Sequence, residues 1–168
     1  MSAVADLELT RAQGDRRRYD LAGVGTLRLQ GLFSRTAVAE TEGHRWRFTP
    51  TGIFQPRVSA TDGTGATVGE FEARTFRRGG TLRWGERELA LRPASAWRER
   101  YALAEEDSEL ALFAGAGWGR RPVTVTVQAP GALDPGLLLF TAFVVRRLAQ
   151  DAGSGVAATT SSTAATGG

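Results

Sequence analysis

From Leu137 to Val145 the chain reads Leu-Leu-Leu-Phe-Thr-Ala-Phe-Val-Val, and Thr141 is its only polar side chain. Asp134 suits a helix N-cap and Pro135 the first helical position, so the stretch predicts a helix from Asp134 to Ala149. A helix that is apolar all round is enclosed by protein or by lipid. Nine residues fall well short of the roughly 20 that a spanning helix needs. No transmembrane span is expected, and the helix must find its cover within the rest of the chain.

Everything before it has the pattern of short strands. Turn signals and alternating segments recur from the start to Gln128, with strands expected near 4–10, 16–21, 25–30, 35–41, 44–49, 56–61, 66–73, 80–84, 86–92, 97–103, 109–113 and 122–128. Val123, Val125 and Val127 alternate with Thr124, Thr126 and Gln128, as a half-buried strand requires. Trp46 and Phe48 share one face and leave Arg45 and Arg47 on the other. Trp97, Tyr101 and Leu103 share a face opposite Arg98 and Arg100, although Glu99 then falls on the apolar side. Asp62-Gly63, Gly79-Gly80 and Trp84-Gly85 punctuate consecutive strands, and glycine supplies the positive φ of tight hairpins. The pattern is an antiparallel meander.

A two-layer arrangement would leave the helix a wet face, and this one has none over its first two turns. A closed sheet around it is the simplest container. A barrel of about eight strands is only just filled by side chains, so a helix about 10 Å across needs a wider barrel. The fold expected is mainly β: a closed antiparallel barrel of about twelve strands around a central, near C-terminal apolar helix. Burying each large apolar side chain contributes about 1.5–3 kcal/mol, while ordering each residue's backbone costs about 1–2 kcal/mol. The helix cannot stand alone, and barrel and helix are expected to fold as one unit. Residues 1–150 form a single domain in this reading. Residues 151–168, rich in Gly, Ser, Thr and Ala, are expected to be a disordered tail.

A twelve-strand barrel closed on a central apolar helix resembles the Tubby C-terminal-like superfamily, which includes LURP-one-related proteins and phospholipid scramblases. The carriers are Gly69-Glu70-Phe71, then Gly80-Thr81-Leu82-Arg83-Trp84 running into Arg87-Glu88-Leu89-Ala90-Leu91, and Asp134-Pro135-Gly136-Leu137-Leu138-Leu139-Phe140. The chain is most similar in plan to bacterial LURP-one-like members, over about 1–150. The resemblance implies a barrel with no cofactor and no established catalytic residues. It also brings phosphoinositide head groups into view, which Tubby proteins bind through a basic surface pocket. No residue-by-residue match to that pocket exists here, and the lysines such a pocket commonly uses are absent. The calcium-binding segment of scramblases has no counterpart after this helix.

Composition narrows the chemistry further. Without cysteine there is no disulfide, thiolate zinc site or cysteine nucleophile, which fits a reducing compartment. With one histidine, His44, no site can use two. His44 reads as a hairpin residue, because no nucleophile motif accompanies it. The glycine-rich 63–69 and 115–119 segments match no phosphate loop and read as hairpins. The acidic run Glu105-Glu106-Asp107 with Glu109 lacks EF-hand spacing and reads as a solvated loop. Glu70/Glu72 and Glu86/Glu88 read as outward strand pairs.

All 21 basic residues are arginine, and the net charge is +3. Guanidinium forks suit phosphate recognition. The candidates for an anion or lipid site are Arg45, Arg47, Arg77, Arg78, Trp118, Arg120 and Arg121, where Trp118 could sit at a membrane interface. Arg146 and Arg147 have a structural role available, as cations near a helix C-terminus. The function expected is therefore a non-enzymatic module that binds anionic lipid head groups or a membrane surface. The alternatives are a protein-binding scaffold barrel and, third, a hydrolytic or ligand-carrying barrel, which would need an interior cavity. A nucleic-acid partner, a metal and a cofactor are not expected. The location expected is cytoplasmic, peripheral to the membrane.

Overall fold

The computed structural model describes residues 4–31, 35–52, 55–74, 79–95, 100–115 and 123–157, with side chains through Asp151. Twelve strands appear where the alternation places them: β1 (Ala5–Arg11), β2 (Arg18–Leu21), β3 (Gly25–Leu29), β4 (Ala37–Thr41), β5 (His44–Thr51), β6 (Arg57–Asp62), β7 (Thr67–Ala73), β8 (Gly80–Trp84), β9 (Arg87–Pro93), β10 (Arg100–Glu105), β11 (Ser108–Gly115) and β12 (Val123–Val127). Each pairs antiparallel with its sequence neighbours, and β1 closes the ring on β12 with Ala5 opposite Val127 and Leu9 opposite Val123. Closure leaves no edge strand to recruit another chain. Register shifts between Ala60 and Thr61 and between Leu103 and Ala104 add local bends.

The helix α1 (Pro135–Ala157) runs through this barrel. Asp134 caps it, with its Oδ1 accepting from the Leu137 amide at 2.9 Å. Leu137, Leu138, Leu139, Phe140, Ala142, Phe143, Val144 and Val145 are all buried. Thr141, the one polar side chain among them, is also buried and donates its hydroxyl to the Leu137 carbonyl at 2.8 Å. That back-bond satisfies the group without a partner from the strands.

The strands make room for the helix with small residues and fill the rest with aromatic rings. Ala37, Ala39, Ala60 and Ala111 are fully buried on inward positions. Phe48 meets Phe140 edge-on at 5.1 Å and lies 5.6 Å from Phe143. Trp84 lies 5.5 Å from Phe140 and 6.2 Å from Trp46, which stacks on His44 at 5.7 Å. Two glycines of the sequence motifs explain themselves here. A Cβ on Gly69 would collide with the Trp84 ring across the ladder, and one on Gly136 would lie 2.7 Å from Trp84 and 2.8 Å from Trp46.

One boundary differs from expectation. The helix continues past Ala149 to Ala157. Composition misled here because a core-anchored helix precedes the run: the costly nucleation step is already made, and adding residues to an existing helix costs far less than starting one. Residues 158–168 lie outside the described residues, as do Trp97, Arg98 and Glu99.

Interdependence of helix and barrel has two measurable consequences. Phe140→Ala should destabilise the chain by about 3–5 kcal/mol in denaturant unfolding. A chain ended at Gly131 should show no cooperative unfolding transition, whereas a sharp one would mean that the barrel closes without its helix.

Candidate functional site

An antiparallel meander sends alternate connections to opposite ends of the barrel. The helix enters at the end where β12 finishes, since Gly136 packs on Trp46 and Trp84 near the start of β5 and the end of β8. It leaves at the end where β1 finishes and β2 begins, because the Arg146 guanidinium lies over the Tyr19 ring. Connections at the entry end are mostly tight turns, and their charges are Glu42, Glu86, Glu106, Asp107 and Asp134, with no arginine. At the exit end the described connections and the emerging helix carry Arg16, Arg17, Arg35, Arg74, Arg146 and Arg147 against Asp15 and Asp151. The barrel is thus acidic at one end and basic at the other.

At the exit mouth Tyr19 is buried, and the Arg146 guanidinium carbon stands 4.3 Å from its ring centroid. The Nη1 of Arg146 is shielded from solvent and has no hydrogen-bond partner among the described residues. Burial lowers the Arg146 pKa, Tyr19 acts against that, and Arg11 adds repulsion. Burial lowers the Arg147 pKa as well, with Asp151 opposing and Arg35 and Arg146 repelling. Because the helix runs on to Ala157, neither arginine sits in its last turn. The helix dipole acts only over the terminal turn, so the structural role expected for this pair does not apply.

The entry end is organised differently. Arg87 points inward from β9 and grips Glu105 with both fork arms, Nε to Oε1 at 2.8 Å and Nη2 to Oε2 at 2.9 Å. Its Nη1 also donates to the Ala132 carbonyl in the segment leading to the helix. This arginine ties two strands to the helix approach, a link that the sequence did not disclose because positions 87, 105 and 132 are far apart. An open groove of about 1090 Å³ lies at the same end, lined by Val24, Gly25, Glu40, Thr41, His44, Trp46 and Pro135 among others. His44 stacks on Trp46 there, with Nδ1 3.4 Å from the Glu42 carbonyl.

Of the anion-site candidates from the sequence, Arg45 and Arg47 lie within the described residues. Arg45 lies near the entry end and pairs with Glu40 at 3.2 Å. Arg47 is exposed on the barrel flank, opposite Val38 and Thr61 in the ladders. Arg77, Arg78, Trp118, Arg120 and Arg121 lie outside the described residues, although the flanking ends of β7, β8, β11 and β12 are at the exit end. Other outward arginines are paired along the flank: Arg18 with Asp20, Arg57 with Glu72, and Arg83 with Glu88. Glu72 and Glu88 are therefore held in surface ion pairs. In the acidic run, Glu105 is engaged by Arg87 and Glu109 by Gln128. The 63–66 loop is a hairpin closed by Asp62, whose Oδ1 accepts from Thr64 and Ala66.

Comparison with known proteins gives no match: no family model, no curated protein and no solved structure matches this chain.

The entry clamp makes a pH prediction. Hydrogen bonding from Arg87 holds the Glu105 carboxyl below its ordinary value of 4.5, against the opposing effect of desolvation. Stability from a depressed carboxylate is complete above the ordinary value and is lost as pH falls through the depressed one. Glu105→Gln should lower Tm at neutral pH, and its difference from the native chain should shrink as pH drops below about 4.

Proposed function

We propose that this chain is a non-enzymatic binding module, built on the Tubby C-terminal-like plan, that meets an anionic lipid surface with the basic exit end of its barrel. The observation that carries this reading is the separation of charge between the two ends. Several surface arginines along the flank have carboxylate partners, Arg45, Arg57 and Arg83 among them, and such exposed pairs are worth about 0–1 kcal/mol each. At the exit end the arginines outnumber the carboxylates, so their field reaches outward. The interior is occupied by the helix, which supports a ligand met at the rim over one carried inside. The acidic entry end would be repelled by an anionic surface, and that gives the molecule a preferred orientation.

The resemblance supports the same reading through its twelve-strand plan and closing helix.

Sedimentation with phosphatidylcholine vesicles, with and without an anionic phospholipid, tests the proposal. The chain should pellet only with the anionic vesicles, and pelleting should weaken as salt rises. Absence of binding at low salt would remove the lipid reading and leave the scaffold reading in its place.

A further inference from the structure

We infer that the exit mouth holds a binding site for a phosphate-type oxyanion, built from Arg146 and Arg147 on the helix with Arg11 at the end of β1 and Arg35 before β4. The inference starts from an imbalance. A buried guanidinium nitrogen with no acceptor is a costly feature, since charge taken out of water needs a partner. Arg146 Nη1 is in that state among the described residues. Tyr19 supplies a cation–π attraction through the guanidinium face and a side-chain hydrogen bond that favours the charged form, yet Nη1 is still left without an acceptor among the described residues.

The surroundings deepen the imbalance. Arg11 repels Arg146, and Arg35 repels Arg147. Asp151 is the carboxylate that acts on Arg147, one turn further along the helix. The helix dipole cannot compensate, because the helix extends well beyond these residues. Apolar side chains at 146 and 147 would continue the buried face without any of these costs. The arrangement is poised for a ligand that brings the missing acceptors.

The donors choose the ligand's chemistry. Guanidinium forks pair two parallel N–H groups with two oxygens of one anion. Here the forks come from separate elements: the end of β1, the approach to β4 and two successive helix positions. A tetrahedral anion presents oxygens in several directions and carries more than one charge near neutral pH, which suits donors carried on different elements. A single carboxylate offers two oxygens in one plane and one charge. The shared chemistry is therefore a phosphate or phosphomonoester group, free in solution or at the head of a lipid. The lipid source rests on the proposed function above, and the site itself does not.

Arg146→Met separates a binding role from a structural one. It keeps an apolar stem against Tyr19 and removes the desolvated charge. Inorganic phosphate should raise the Tm of the native chain above that in chloride at equal ionic strength, and titration calorimetry should detect binding. Arg146→Met should be at least as thermally stable as the native chain in chloride and should gain nothing from phosphate. Its phosphate affinity should fall about tenfold or more, the scale of one lost charge-assisted hydrogen bond. Arg11→Gln, at an exposed position, should weaken phosphate binding without touching the core, so the test survives if Arg146→Met does not fold.

Vesicles containing phosphatidic acid then distinguish the sources. Weaker pelleting of both variants alongside weaker phosphate binding assigns the site to a lipid head group. Phosphate binding that both variants weaken, with no pelleting of the native chain, keeps the site for a free phosphate and removes the membrane reading. Native pelleting that neither variant alters, with no response to phosphate, overturns the site and leaves the membrane reading standing. An Arg146→Met chain that is less stable in chloride and responds to phosphate as the native chain does would make Arg146 a structural residue.

Discussion

The fold depends on a match of widths between one apolar helix and the sheet around it. A ring of twelve strands encloses more space than strand side chains alone can fill. A helix whose every face is apolar has no stable place in water. Each supplies what the other lacks. Their contact is specific in shape: alanines on the strands admit the helix, while Phe48, Trp46 and Trp84 close on Phe140, Phe143 and Gly136. Gly69 belongs to the same fit, because the Trp84 ring occupies the space that a side chain there would take.

Filling the interior moves polar interactions to the flank and the ends. On the flank, Arg45, Arg57 and Arg83 meet carboxylates on neighbouring strands. At the entry end Arg87 is fully used, with Glu105 and the Ala132 carbonyl taking its donors. Arg146 at the exit end has the same chemistry and is more deeply shielded, and its Nη1 lacks an acceptor among the described residues. The contrast between these two arginines separates a structural cation from one available to a ligand. It also explains why counting arginines in the sequence overstates the basic surface, since many are already paired.

The local pattern was enough for all twelve strands, the Asp134 cap and the central helix, because period-two alternation and capping chemistry act over a few residues. Local pattern failed at the helix end. A run rich in Ala, Gly and Ser carries no strong signal of its own, and the preceding core-bound turns decided that the helix would continue to Ala157. Local pattern also gave no sign of the surroundings of Arg146. Arg45 and Arg47 drew notice as a strand pair beside Trp46, yet a strand pair faces the flank. Arg11, Tyr19 and Arg35 drew none, since nothing nearby in sequence marks them.

The sequence by itself determined the class of container and its contents: alternating strands bounded by glycine turns, and a helix whose apolar run is too short to span a bilayer. Those are consequences of solvation acting on neighbouring residues. Tertiary structure alone decided which connections share an end, since the direction of every strand follows from the closed meander. It also decided that Arg146 is shielded beside Tyr19 while Arg45 reaches Glu40. Desolvation and charge pairing depend on distances between residues far apart in the chain, and the separation of basic from acidic ends exists only once the barrel has closed.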